Sequence, residues 1–247
     1  VGLWDENLQG NTDWDLWLRI AAAGFQVAFI DRVLEEYRRH KRNITLDYER
    51  MRASRLTALD KLFSRGDQVG RIAHLKDQAY ANAFIRSAIR ALRTDLVDSA
   101  MRDFVQAVGH RPHILTDRSL YYQIACFSVP LGHAPMPQNI DLELGERRLN
   151  QLMDRIDPMA CLSPSQMQHA RATAHLALGM IYYAYTSDMT SARRHFLAAI
   201  VRSPFARATW PWLARAAIGR ENARRIRDVL RRVLPHKRRG EQQAGLI

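Results

Sequence analysis

The run Asn11-Thr12-Asp13-Trp14-Asp15-Leu16-Trp17-Leu18-Arg19-Ile20, followed by Tyr37-Arg38-Arg39-His40, is the only part of this chain that reads as an active site. Carboxylates, indole rings, guanidinium groups and an imidazole are the side chains that move protons, stack on rings and hold anions. Here they gather in the first fifty residues. A helix start at Asp13 would favour its ionised carboxylate.

The elements that hold these residues follow from spacing. Trp14, Trp17, Leu18 and Ala21 recur at i, i+3, i+4 and i+7, which predicts a helix over Asp13–Ala23 with one apolar stripe. Asp15 and Arg19 can pair across one turn. Thr12 or Asp13 is the expected N-cap, and Gly24 the stop. Phe25–Ile30 alternates and turns at Asp31-Arg32, which predicts a short strand. Val33–His40 reads as a second extended segment, with a helix as the alternative.

The run Gly2-Leu3-Trp4-Asp5-Glu6, the helix opening Asp13-Trp14-Asp15-Leu16-Trp17-Leu18-Arg19, then Gly24-Phe25, Leu34 and Tyr37-Arg38-Arg39-His40 together resemble the end of the catalytic domain of family-2 glycosyltransferases. The resemblance implies that Asp13 is the general base on an acceptor hydroxyl, a poor nucleophile until a carboxylate takes its proton. It implies an acceptor platform from Trp4 and Trp14, with Thr12 beside it. Arg38 would face leaving-group phosphate, and His40 would stand near the diphosphate or the metal. The family pattern has Glu where this chain has Thr12, which puts acceptor geometry in doubt. A divalent metal, Mg or Mn, is implied by the family, but its Asp-x-Asp motif belongs to a nucleotide-sugar-binding half not found in this chain. Asp13-Trp14-Asp15 has that spelling and receives no metal role, because it lies on a helix start. Plain alternatives remain: Asp13 as a helix cap, Trp4, Trp14 and Trp17 as core aromatics, Arg19 as a partner for Asp15 only, and His40 as a structural side chain.

From Leu46 onward strand signals nearly vanish. Met51, Leu56, Leu59, Leu62 and Phe63 mark a helix over 47–65, ending at Gly66. Residues 80–112 place Ala88, Ala91, Ala100, Ala107 and Pro112 at the offsets of a tetratricopeptide unit. Residues 171–204 repeat the frame with Gly179, Tyr182, Ala192, Ala199 and Pro204. Small residues let two helices approach, and Phe104 and Phe196 fill the groove. The remainder therefore resembles a short tetratricopeptide-like solenoid, with an ordinary helical bundle as the alternative. A loop is expected over 130–140, with Pro130, Gly132, Pro135 and Pro137, and a new helix after Ser163-Pro164.

The expected fold is mainly α: the C-terminal remnant of an α/β nucleotide-sugar transferase domain (1–46), a helical tetratricopeptide-like domain (47–240) and a tail (241–247). The chain begins Val1-Gly2-Leu3 without Met, so it is expected to be the C-terminal portion of a longer protein and inactive alone. The expected function is transfer of a sugar from a nucleotide-sugar donor to a glycan or lipid-linked hydroxyl acceptor, in glycan or cell-surface polysaccharide synthesis. The alternative is a non-catalytic helical-repeat module that binds a protein partner.

Composition sets the remaining bounds. The net charge is +12, with 7 Lys+Arg against 9 Asp+Glu in residues 1–50 and 12 against 3 in residues 201–247. A helix over 220–234 carries Ala223, Ile226, Leu230 and Val233 on one face and arginines on the rest, followed by Lys237-Arg238-Arg239. Such a helix can touch an anionic membrane surface or cap the helical domain. The expected location is cytoplasmic, at the inner face of the membrane. The arginines lack interleaved aromatics, which argues against nucleic acid. The uncharged run 119–132 is too short to span a bilayer and is broken by Pro130. Cys126 and Cys161 read as two unpaired thiols of a reducing compartment.

Overall fold

The computed structural model describes residues 1–36, 38, 40, 43–64, 70–129, 139–156, 162–186 and 188–233, the last few without side chains. Ten α-helices are seen among them: α1 (Thr12–Ala22), α2 (Tyr48–Ser64), α3 (Lys76–Arg93), α4 (Val97–His110), α5 (Arg118–Ala125), α6 (Leu142–Ile156), α7 (Pro164–Tyr185), α8 (Met189–Arg202), α9 (Trp210–Ile218) and α10 (Arg220–Val233). The protein is mainly helical, and no strand occurs among the described residues. None of the described helices is long and apolar enough to cross a membrane.

Residues 25–30 correct the expectation of a strand. They have no regular structure, and Phe25, Val27, Phe29 and Ile30 are exposed, as are Val33 and Leu34 beyond them. A strand needs a neighbour to take its backbone hydrogen bonds. No described segment lies alongside to supply one. The extended segment expected over 33–40 is likewise irregular where described, and Tyr37 and Arg39 lie outside the described residues.

The helical region follows its small residues. α3 packs along α4, and α7 along α8, as two antiparallel pairs. Ala88, Ala91, Ala100 and Ala107 are buried in the first pair, with Phe104 fully enclosed. Ala192 and Ala199 are buried in the second, around Phe196. A Cβ at Gly179 would lie 2.7 Å from the Phe196 ring, so the ring occupies the space that glycine leaves. Each buried Phe or Leu contributes about 1.5–3 kcal/mol. The helix expected after Ser163-Pro164 is α7, and Ser163 caps it in a capping box with Gln166. Residues 130–138 of the loop expected over 130–140, Gly66, Cys161, Lys237-Arg238-Arg239 and the tail 241–247 lie outside the described residues. Ala223 and Ile226 are seen on α10, with Ile226 exposed. Cys126 is a free thiol whose burial pushes its pKa up to about 11.

Two polar hubs sit inside the helices. Asp103, almost fully buried, accepts from the Tyr48 hydroxyl at 2.7 Å and from Arg52 Nε at 2.7 Å, which fastens α2 to α4. Glu146 on α6 accepts from the Tyr182 hydroxyl at 2.9 Å and meets His195 Nε2 at 3.3 Å. His175 and His195 face each other through their Nδ1 atoms at 3.1 Å. The His195 contact holds the Glu146 carboxyl down at about 2. Burial, with Arg202 nearby, pulls His175 down to about 4 from an ordinary 6.5.

Two outcomes follow from this packing. A Cβ at Gly145 on α6 would lie 2.0 Å from the Ala125 carbonyl oxygen of α5, and backbone cannot swing aside. Gly145→Ala should therefore lower stability by about 1–3 kcal/mol despite better helix propensity, read as a fall in Tm of roughly 2–4 °C per kcal/mol. The depressed His175 favours the neutral ring in the fold. Its contribution is complete above about pH 6.5 and is lost as pH falls through about 4. Urea midpoints across that window should decline for the natural chain and decline less for His175→Gln.

Candidate active site

The site begins with a polar pair inside the protein. Asp15 and Arg19 are each 3 % exposed. Arg19 donates to Asp15 Oδ2 through Nε at 2.9 Å and lies 2.8 Å from it through Nη2. Arg19 does more than the single pairing expected: it also donates to the carbonyls of Val1 and, at 2.8 Å, Leu3. Every direction of its planar fork is used, which is the condition for burying a guanidinium. This pair fixes the rotation of α1. Its polar edge turns inward, and the stripe of Trp14, Trp17, Leu18 and Ala21 turns to an open cleft. Trp17 is 60 % exposed, so the core role considered for it is corrected.

The N-cap also differs from expectation. Asn11, not Thr12 or Asp13, precedes α1, in the left-handed region at φ 51° that Asn tolerates. Its carbonyl accepts from Asp15 N at 2.9 Å, and its side-chain amide donates to the Met51 carbonyl at 3.1 Å. Further ties join the preceding loop to α2: Arg50 Nε donates to the Gln9 carbonyl at 2.6 Å, the Ser54 hydroxyl to that of Gly10, and Lys61 pairs with Asp5. Asp13 is thereby released from capping by its neighbour. Among the described residues its Oδ1 accepts only from the backbone N–H of Trp14, at 2.8 Å. Gly24 closes the helix at φ +85°, as its sequence predicts.

The cleft holds about 1090 Å³ between α1, α2 and α3. Thr12, exposed Asp13 and Trp14 line one wall; Met51, Leu59 and Leu62 of α2 form part of another. Arg55 of α2 reaches over the Trp14 ring, 5.7 Å from its centroid. Arg50 and Arg86 also line the cleft. Three sequence-predicted residues thus come together: Asp13, Thr12 and Trp14. Trp4, Arg38 and His40 do not line this cleft. Trp4 and Arg38 are exposed, and the Arg38 carbonyl accepts from the Asn43 amide at 3.0 Å. The arginines of the cleft escaped sequence reading because Arg55 and Arg86 lie far apart in the chain, on two helices. Nothing in their local spacing marks them.

No group of three His, Cys, Asp or Glu side chains suited to a metal occurs among the described residues, and Asp15 is committed to Arg19. In comparisons with known proteins, the chain matches no family model, no curated protein and no solved structure.

The buried pair makes a direct test. Arg19→Met leaves Asp15 enclosed without a counter-charge, so stability should fall by about 3–5 kcal/mol, while replacing both residues by Leu should cost far less. Urea unfolding of the three proteins measures this. A single-variant loss under about 1 kcal/mol would contradict the burial that fixes α1.

Proposed function

We propose that this chain is the acceptor-side portion of a nucleotide-sugar-dependent glycosyltransferase, with a tetratricopeptide-like helical region attached. The observation that carries the reading is the Asp13 carboxylate: solvent-accessible, free of an ion pair among the described residues, and on the wall of a large cleft beside Trp14. Asp13 takes the proton of the acceptor hydroxyl as its oxygen bonds to the sugar carbon. The sugar–phosphate bond breaks in the same step and the nucleoside diphosphate leaves with that electron pair. Thr12 and Trp14 position the acceptor from the same wall. Arg38 and His40, outside the cleft, would serve only on the donor side. The nucleotide-sugar itself would be held by a separate α/β half, and no step assigned to this chain runs through a metal.

A second reading, a helical-repeat module that binds a protein partner, is favoured by the pairs α3/α4 and α7/α8 and their small-residue crossings. The two readings separate on one variant. In the protein that joins this chain to a nucleotide-sugar-binding half, Asp13→Asn should lower turnover by ~100-fold or more, with donor affinity unchanged. Turnover within a few-fold of the natural protein would overturn the base assignment and leave the interaction module.

A further inference from the structure

Several arginines of the helical region have a partner among the described residues. Arg52 holds Asp103, Arg93 donates to the Phe127 carbonyl, and Arg193 donates to that of Ala216. The cleft is different. Arg55 is half-buried and touches the face of Trp14. Arg86 enters the same cleft from α3. Among the described residues, neither forms an ion pair or a side-chain hydrogen bond. Burial, and then the neighbouring charges of Arg90 and Arg86, lowers the Arg55 pKa to about 10, since no carboxylate among the described residues pairs with it, Asp13 of the same cleft included.

Contact through the aromatic face steadies a guanidinium and leaves its N–H groups for another acceptor. Arg55 has lost part of its hydration without gaining an anionic partner, and an oxyanion in the recess beside Arg86 would supply one. Planar N–H forks suit phosphate and carboxylate alike. The cleft is large enough for a sugar unit. We propose that Arg55 and Arg86 form an oxyanion subsite of the cleft, and that its ligand is an anionic sugar carrying a phosphate or carboxylate group. That this ligand is the acceptor rests on the transferase reading. The subsite itself rests on the two arginines and the cleft.

The experiment titrates the chain with glucose 6-phosphate, galacturonate and neutral glucose by calorimetry at low salt. Arg55→Gln and Arg86→Gln are compared with Arg207→Gln, which removes the same charge from an exposed position elsewhere. The expected result is binding of at least one anionic sugar, weakened about 10-fold by either cleft variant and less than about twofold by Arg207→Gln. Glucose should bind more weakly than the anionic sugar that responds. A response to glucose 6-phosphate alone assigns a phosphate ligand; one to galacturonate alone assigns a carboxylate. No binding of either anion, or equal loss in all three variants, overturns the subsite. Arg86 is exposed, so its variant tests the site even where Arg55→Gln disturbs folding. Affinity is read without donor or turnover. A failed transfer assay therefore leaves the subsite standing, and a failed titration leaves the role of Asp13 standing.

Discussion

The arrangement around the cleft depends on one buried ion pair. An isolated helix with the sequence of α1 would turn its tryptophans inward, because apolar burial outweighs a surface salt bridge worth at most about 1 kcal/mol. In this protein Asp15 and Arg19 are inside and the tryptophan stripe faces the open space. Burying the pair is tolerable because Arg19 also satisfies the carbonyls of Val1 and Leu3. Such a pair adds little net stability over an apolar replacement. What it sets is orientation: the helix has one rotation, and the first residues of the chain have one path.

Much of the helical architecture was legible in the sequence. The helix read over Asp13–Ala23 and found at Thr12–Ala22, the helix start at Ser163-Pro164, and the crossings at Ala100, Ala107, Ala192 and Ala199 all follow from local rules of propensity, capping and small-residue packing. The features that were not legible involve residues distant in the chain. Asp103 is tied to Tyr48 and Arg52, about fifty positions away, and nothing near it announces a hub. Asp15 and Arg19 look the same in sequence whether they face water or the interior. The alternation of Phe25–Ile30 likewise carries no information about whether a neighbouring strand exists. In the site, Asp13, Thr12 and Trp14 were readable because they are consecutive, whereas Arg55 and Arg86 were not.

Charge is partitioned rather than spread. The interior carboxylates Asp103 and Glu146 are each surrounded by donors from other helices and act as joints between them. Exposed apolar side chains gather along Phe25–Leu34 and at Leu3 and Trp4, and again at Val201, Phe205 and Trp210. The cleft is lined by indoles and aliphatic side chains and edged with guanidinium groups, with the Asp13 carboxylate on its wall. A ligand entering it meets both kinds of surface at once.

The contact of Gly179 with Phe196 carries a further consequence. The ring lies where any side chain at position 179 would begin. The two positions therefore share a fixed volume across the α7–α8 crossing. An Ala or Ser at 179 is compatible only with a smaller residue at 196, so homologous chains should exchange bulk between these positions in compensation, conserving the spacing of the two helices while neither residue is conserved by itself.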